Sequence, residues 1–162
     1  MESMTALTML PPDTRVWIYQ SNRPFRSEDL PKIREAVQYF AQLWVSHNQQ
    51  LRAWGDVLHH RFIVLMVDES QAGASGCSID KSVHFLKALQ AEYQVDLFDR
   101  FVFSYLNGDT VHTVPRETFA QLYADGIIRD ETPVFDTLVS TKAAFDQGFV
   151  RPLGQSWHKR MV

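Results

Sequence analysis

A single cysteine in 162 residues excludes an internal disulfide framework and a thiolate zinc cluster. Long apolar runs are also missing: the longest, Phe62 to Val67, suits a buried strand and falls far short of the roughly 20 residues that span a bilayer. Met1 to Leu10 contains Glu2 and lacks the charged-then-apolar order of a signal peptide, so a cytoplasmic protein with no membrane insertion is expected. Neither charge sign dominates. Lys+Arg 16 against Asp+Glu 19 gives −3, which provides no global positive field for nucleic acid. Internal repeats, low-complexity segments and a second-domain linker are absent too. What the chain does have is 45% hydrophobic and 12% aromatic residues, enough to bury a core in one domain.

Residues 1–14 end in Pro11-Pro12-Asp13 and read as a loose lead-in to one globular domain over 15–162. Arg15 to Gln20 is β-branched and aromatic and predicts a strand. Ser27 is a candidate N-cap, with Pro31 in the first turn, for a helix carrying Ile33, Val37, Phe40, Ala41 and Trp44 to about His47. Leu51 to Leu58 and Arg61 to Asp68 predict a hairpin about His59-His60. After the breaker Gly73-Ala74-Ser75-Gly76, Ser75 or Ser78 caps a second helix with Ile79, Val83, Leu86, Leu89 and Tyr93 inward. Phe101 to Leu106 and Thr110 to Val114 flank Asn107-Gly108-Asp109, a hairpin signal because Gly accepts positive φ. Pro115 opens a short helix that Gly126 ends, and Pro133 to Gly148 reads as one more helix. This order predicts an α+β fold: a mostly antiparallel sheet with helices packed on one face, βαββαβ-like, plus an added strand and C-terminal helices. A three-layer α/β fold with the Gly-rich loop at a strand's carboxyl end is the alternative.

The segment that invites chemistry is Gly73 to His84. A glycine-rich loop at a helix start offers unpaired N–H groups and the positive end of the helix dipole, so Gly76, Cys77, Ser78 and Asp80 become candidate ligand-binding residues for a small anionic metabolite. It is not a P-loop: Gly76 is followed by four residues and then Lys81-Ser82, with the second glycine missing and Asp80 where phosphate would sit. ATPase activity is therefore not expected. Cys77, Asp80, His84 and Lys87 fall on the face opposite the predicted core. A thiol at a helix start is a candidate nucleophile, with His84 or His158 as base, whereas an open helix face does not complete a metal shell. Arg23, beyond the first strand, and Trp157 and His158, in the cationic tail Ser156 to Arg160, are expected to join Cys77 in one cleft. No cofactor is indicated. A non-catalytic adaptor or homodimer is the remaining reading, because Trp17, Trp44, Trp54, Phe62, Phe101 and Phe103 exceed the needs of a poorly covered core.

Trp17 to Arg23, Ala74 to Asp80 with Ser82 to Phe85, Val95 to Leu97 with Asp99-Arg100, and Ser156 to His158 resemble an uncharacterised bacterial family of about this length. The resemblance covers nearly the whole chain. Members are often labelled ABC transporter ATPase, yet this chain also lacks the Leu-Ser-Gly-Gly-Gln signature and is short for a cassette. The resemblance implies no catalytic residues.

Overall fold

The structure, a computed structural model, describes residues 7–162. The run that reads as a buried strand is its centre. β1 (Arg15–Gln20), β4 (Arg52–Leu58) and β5 (Phe62–Asp68) form an antiparallel sheet with β5 in the middle, and every residue of β5 is buried. A strand buried on both faces needs an apolar layer on each side, and the chain supplies two different ones.

Ile63, Leu65 and Val67 face helices α1 (Leu30–Leu43) and α2 (Gly76–Tyr93), where Ile33, Val37, Ala41, Leu86 and Leu89 complete a core. α1 lies so close that a Cβ at Gly55 of β4 would stand 3.1 Å from Val37 Cγ1 and 3.0 Å from Leu65 Cδ2. Phe62, Val64 and Met66 look the other way, onto Leu10, Trp54, Phe135 and Phe149. That second layer is another antiparallel sheet, ordered β7-β6-β8-β9, from β6 (Val102–Asn107), β7 (Thr110–Pro115), β8 (Pro133–Phe135) and β9 (Val150–Pro152). Its outer face carries a third core, in which Phe103, Tyr105 and Val134 meet Phe119 of α3 (Arg116–Ala124) and Leu153. A minor ribbon pairs β2 (Val45–Ser46) with β3 (Gln49–Gln50). The α+β class is as expected, and each large sheet carries helices on one face. The strands, however, divide between stacked sheets instead of extending one.

Both hairpins form as the sequence predicts. Leu58 pairs with Phe62 across His59 and His60, which take φ of 52° and 59°. In the β6–β7 turn the positive φ, 62°, falls on Gly108. Several boundaries differ. α1 starts at Leu30 after a turn over 26–29, with Asp29 rather than Ser27 as N-cap, and it ends at Leu43 because Trp44 turns extended to bury its ring. Pro133 to Gly148 is not one helix. β8 comes first, then a turn in which Asp136 accepts from Leu138 N–H, then α4 (Lys142–Gly148) capped by the Thr141 hydroxyl. Val134 and Phe135 serve different cores, which needs a strand's alternation. The part of the lead-in that lies within the described residues is anchored: Leu7–Met9 forms a 3-10 turn, and Leu10 and Thr14 are buried. Residues 1–6 of that lead-in, like Glu2, lie outside the described residues. No described helix is long and apolar enough to cross a membrane.

Candidate functional site

The start of α2 is built as a serine cluster. Ser75 is the N-cap, its hydroxyl accepts from Ser78 N–H, and the Ser78 hydroxyl accepts from Ser75 N–H at 2.7 Å, a reciprocal capping box. Ser46 of β2 donates to the Ser75 hydroxyl at 2.9 Å, and Trp44 Nε1 donates to Ser78 O at 2.8 Å. The preceding loop already holds an anion of its own, since Glu69 accepts from Ala74 N–H at 2.9 Å. Ser78, Ser82, Leu86 and Leu89 are the fully buried residues of α2, whereas Ile79 and Val83 are only half-buried. The serines pass inward because their hydroxyls bond back to the helix, Ser82 to Ile79 O and Ser78 to Ser75 O.

Cys77, Asp80, His84 and Lys87 are exposed on the outer face, and Gly76 is exposed at the helix start. Seven residues of helix rise about 10 Å, so His84 does not reach the Cys77 sulfur. Arg23 lies at the opposite end of α2. Its guanidinium donates to the carbonyls of Tyr93 at 2.8 Å and Gln94 at 3.2 Å, where a cation meets the negative end of the dipole. The rise from Cys77 to Tyr93 is about 24 Å.

His158 is elsewhere again. It is 1% exposed among Phe103, Phe119 and Trp157, with Nδ1 2.7 Å from the Ser156 hydroxyl. Burial pushes its pKa down to about 4, against the opposing charge of Asp136. Arg23, Cys77 and His158 therefore do not converge. Each is drawn to a different part of the fold by a backbone dipole, a solvated helix face or an apolar core. The structure gives His158 a core position and leaves Trp157 half-buried, with Nε1 donating to Asp136 at 2.8 Å.

The groups that do converge line a cleft of about 510 Å³ between the two large sheets. One wall is β1 from Val16 to Gln20, and the other is Leu97 to Phe103, running into β6. Thr137 to Ser140 and the tail residues Trp157, Arg160 and Met161 close it. Phe98 meets Tyr19 edge-on at 5.6 Å, and two rim residues, Phe101 and Leu138, stand 72% and 65% exposed. Three arginines border this apolar slot: Arg100, Arg116 and Arg160. All three are exposed, and none forms an ion pair or side-chain hydrogen bond with a described residue. The one acid on the lining, Asp99, accepts from Phe101 N–H at 2.8 Å. The neighbouring cation Lys159 is occupied: Asp130 at 2.8 Å and the Tyr123 hydroxyl hold it and push its pKa up to about 12. Burial raises the Tyr19 hydroxyl above its ordinary range, with Ser82 and Arg100 opposing.

At one end Gln20 closes the cleft. Its amide donates to Val102 O at 2.9 Å and accepts from the Ser104 hydroxyl at 2.7 Å. Ser104 continues to Thr113 at 2.7 Å, and Thr113 meets the buried guanidinium of Arg61, so a polar chain crosses between the sheets. Burial lowers the Arg61 pKa. A shallower depression of about 400 Å³ lies at the hairpin tips, by His59, His60, Arg61 and Asp109. Among the described residues no cluster of His, Cys, Asp or Glu has the makings of a metal site.

No family model, curated protein or solved structure matches this chain. The cleft therefore stands on its own geometry. Sequence reasoning singled out Trp157 and the cationic tail but missed Arg116, Phe98 and Leu138. A lone arginine after a proline and a hydrophobic residue in a supposed helix carry no local signal of a shared wall.

Proposed function

We propose that this protein binds an anionic ligand with an apolar body in the cleft between β1 and β6. The observation that carries the reading is the set of three arginines, free of described acid partners, around an aromatic-walled slot. Apolar walls supply affinity by excluding water, and the guanidinium groups at the mouth orient a carboxylate or phosphate. This keeps the anionic ligand expected from the sequence and moves its place from the Gly73 to His84 loop, where Glu69 and Ser75 already meet the loop's N–H groups. Arg160 and Trp157 contribute from the tail. Cys77 takes no part. The reading is of a binding protein, and it uses no nucleophile.

The test is thermal melting with octanoate, octyl phosphate and octanol as the neutral control, followed by calorimetric titration. A ligand at about 100 times its dissociation constant adds roughly 2.7 kcal/mol, about 5 to 10 °C at this chain length. The two anions are expected to raise the midpoint and octanol to leave it, with the shift lost in Arg116→Gln/Arg160→Gln. Equal shifts in wild type and the arginine variant would end the reading. A shift lost in Ser75→Ala alone would return the site to the start of α2.

A further inference from the structure

The wall formed by β1 is a strand edge, and only half of it is covered. Val16 N–H donates to Ser140 O at 3.0 Å and Lys142 N–H to Thr14 O at 2.9 Å, which makes Arg15 and Thr141 an antiparallel bridge. The chain's own segment 140–142 thus already adds to β1 as a short strand. The pairing then stops. Continued in the same register, it would set Leu138 opposite Ile18, but Asp136 holds its turn through Leu138 N–H and Trp157 Nε1, and Leu138 stands at the rim instead.

Outward-facing backbone groups recur every second residue along a strand. Since Val16 points its N–H away from β5, Ile18 does the same with its N–H and C=O, and neither meets a partner among the described residues. Across the cleft, β6 is paired with β8 only at Tyr105, and Phe103 spends its backbone groups on Val114 of β7, so Val102 leaves its cleft side open apart from the Gln20 clasp on its C=O. An unpaired edge beside an aromatic slot is a template for another strand.

Resting on the cleft as the binding site, we propose that its ligand is an extended peptide segment with acidic side chains. The segment adds antiparallel to the free half of β1 beside Ile18 and sets its carboxylates against Arg100, Arg116 and Arg160. Backbone pairing fixes the direction, the slot takes the apolar side chains, and charge selects the acidic ones. The free half of β1 accommodates only a few residues, so the recognised segment is short.

The probe is a fluorescein-labelled octapeptide of alternating glutamate and valine, followed by anisotropy with the full chain. Three relatives accompany it: glutamine in place of glutamate, and two peptides N-methylated on one or the other alternating set of residues. In strand addition only one alternating set turns its N–H groups to β1. One methylated peptide is therefore expected to bind about tenfold or more weakly while the other stays near the parent. The glutamine peptide and the Arg116→Gln/Arg160→Gln protein are expected to weaken binding by a similar factor. Equal binding by both methylated peptides, equal loss with both, or tight binding of the glutamine peptide would overturn strand addition.

Octanoate, titrated in parallel, separates the two levels. Octanoate binding that depends on the arginines, with no peptide binding, leaves the cleft reading standing and removes the peptide. Failure of both removes both. A chain that self-associates through this edge, with no displacement by the peptide, would also overturn the proposal.

Discussion

The start of α2 and the cleft beside β1 both present polar groups to an open surface, and they differ in what meets those groups. At α2 the chain answers itself: Ser75 and Ser78 cap each other, Ser46 and Trp44 brace them, and Glu69 takes the loop N–H of Ala74. Beside β1 the Ile18 backbone and three guanidinium groups have no described partner, and large apolar side chains stand exposed at the rim. Satisfied polar groups hold a fold together, whereas aligned unsatisfied ones next to apolar surface are available to a ligand. A glycine-rich helix start is therefore weaker grounds for a site than a set of groups the fold leaves open.

The comparison is sharpened first by acid. His158 belongs to the satisfied class, neutral in its core, with a folded pKa of about 4 against an ordinary 6.5. Below 6.5 the unfolded chain takes up a proton that the folded chain refuses, so stability present at neutral pH is lost as pH falls from 6.5 through 4. The expected loss is roughly 3 kcal/mol. Denaturant unfolding across that range measures it, and His158→Asn should flatten this part of the profile. A profile unchanged by the substitution would put His158 among the accessible groups instead.

Next in size is Gln20→Ala, which leaves Val102 O without its side-chain donor and Ser104 with Thr113 alone in the polar chain between the sheets. It is expected to cost about 1 to 3 kcal/mol in urea unfolding. Ser75→Ala removes a cap and should cost about 1 kcal/mol while leaving octanoate binding in the cleft unchanged. Coupled loss of stability and binding in that variant would break the distinction between the two regions. Smallest in stability is Arg116→Gln/Arg160→Gln, expected to melt within about 0.5 kcal/mol of wild type although it loses the ligand. Cys77→Ser should change neither measurement, because its side chain faces solvent outside the cleft.

The main elements could be read because their signals are local. Phe62 to Asp68, the Gly108 turn and a serine cap at Ser75 or Ser78 each declare themselves within a few residues. Where local signals conflict, reading fails: Phe135, Leu138, Val139 and Phe145 fall near helical spacing, yet Val134 and Phe135 must feed cores on opposite faces of a sheet. The buried face of α2 was misplaced for a related reason. Ser78 and Ser82 count as polar by composition, but their hydroxyls are satisfied by their own helix, and small side chains allow close approach.

The candidate site lies beyond any such reading. Trp17, Arg100, Arg116, Leu138 and Arg160 come from five separate stretches and meet only because two sheets stack and the tail folds back. The sequence by itself determined most of the elements and the absence of a P-loop, since propensity, capping and spacing act between near neighbours. Only the tertiary structure decided which polar groups were consumed and which were left open. Whether a donor or a charge finds a partner depends on distances across the fold, and no short stretch of chain contains them.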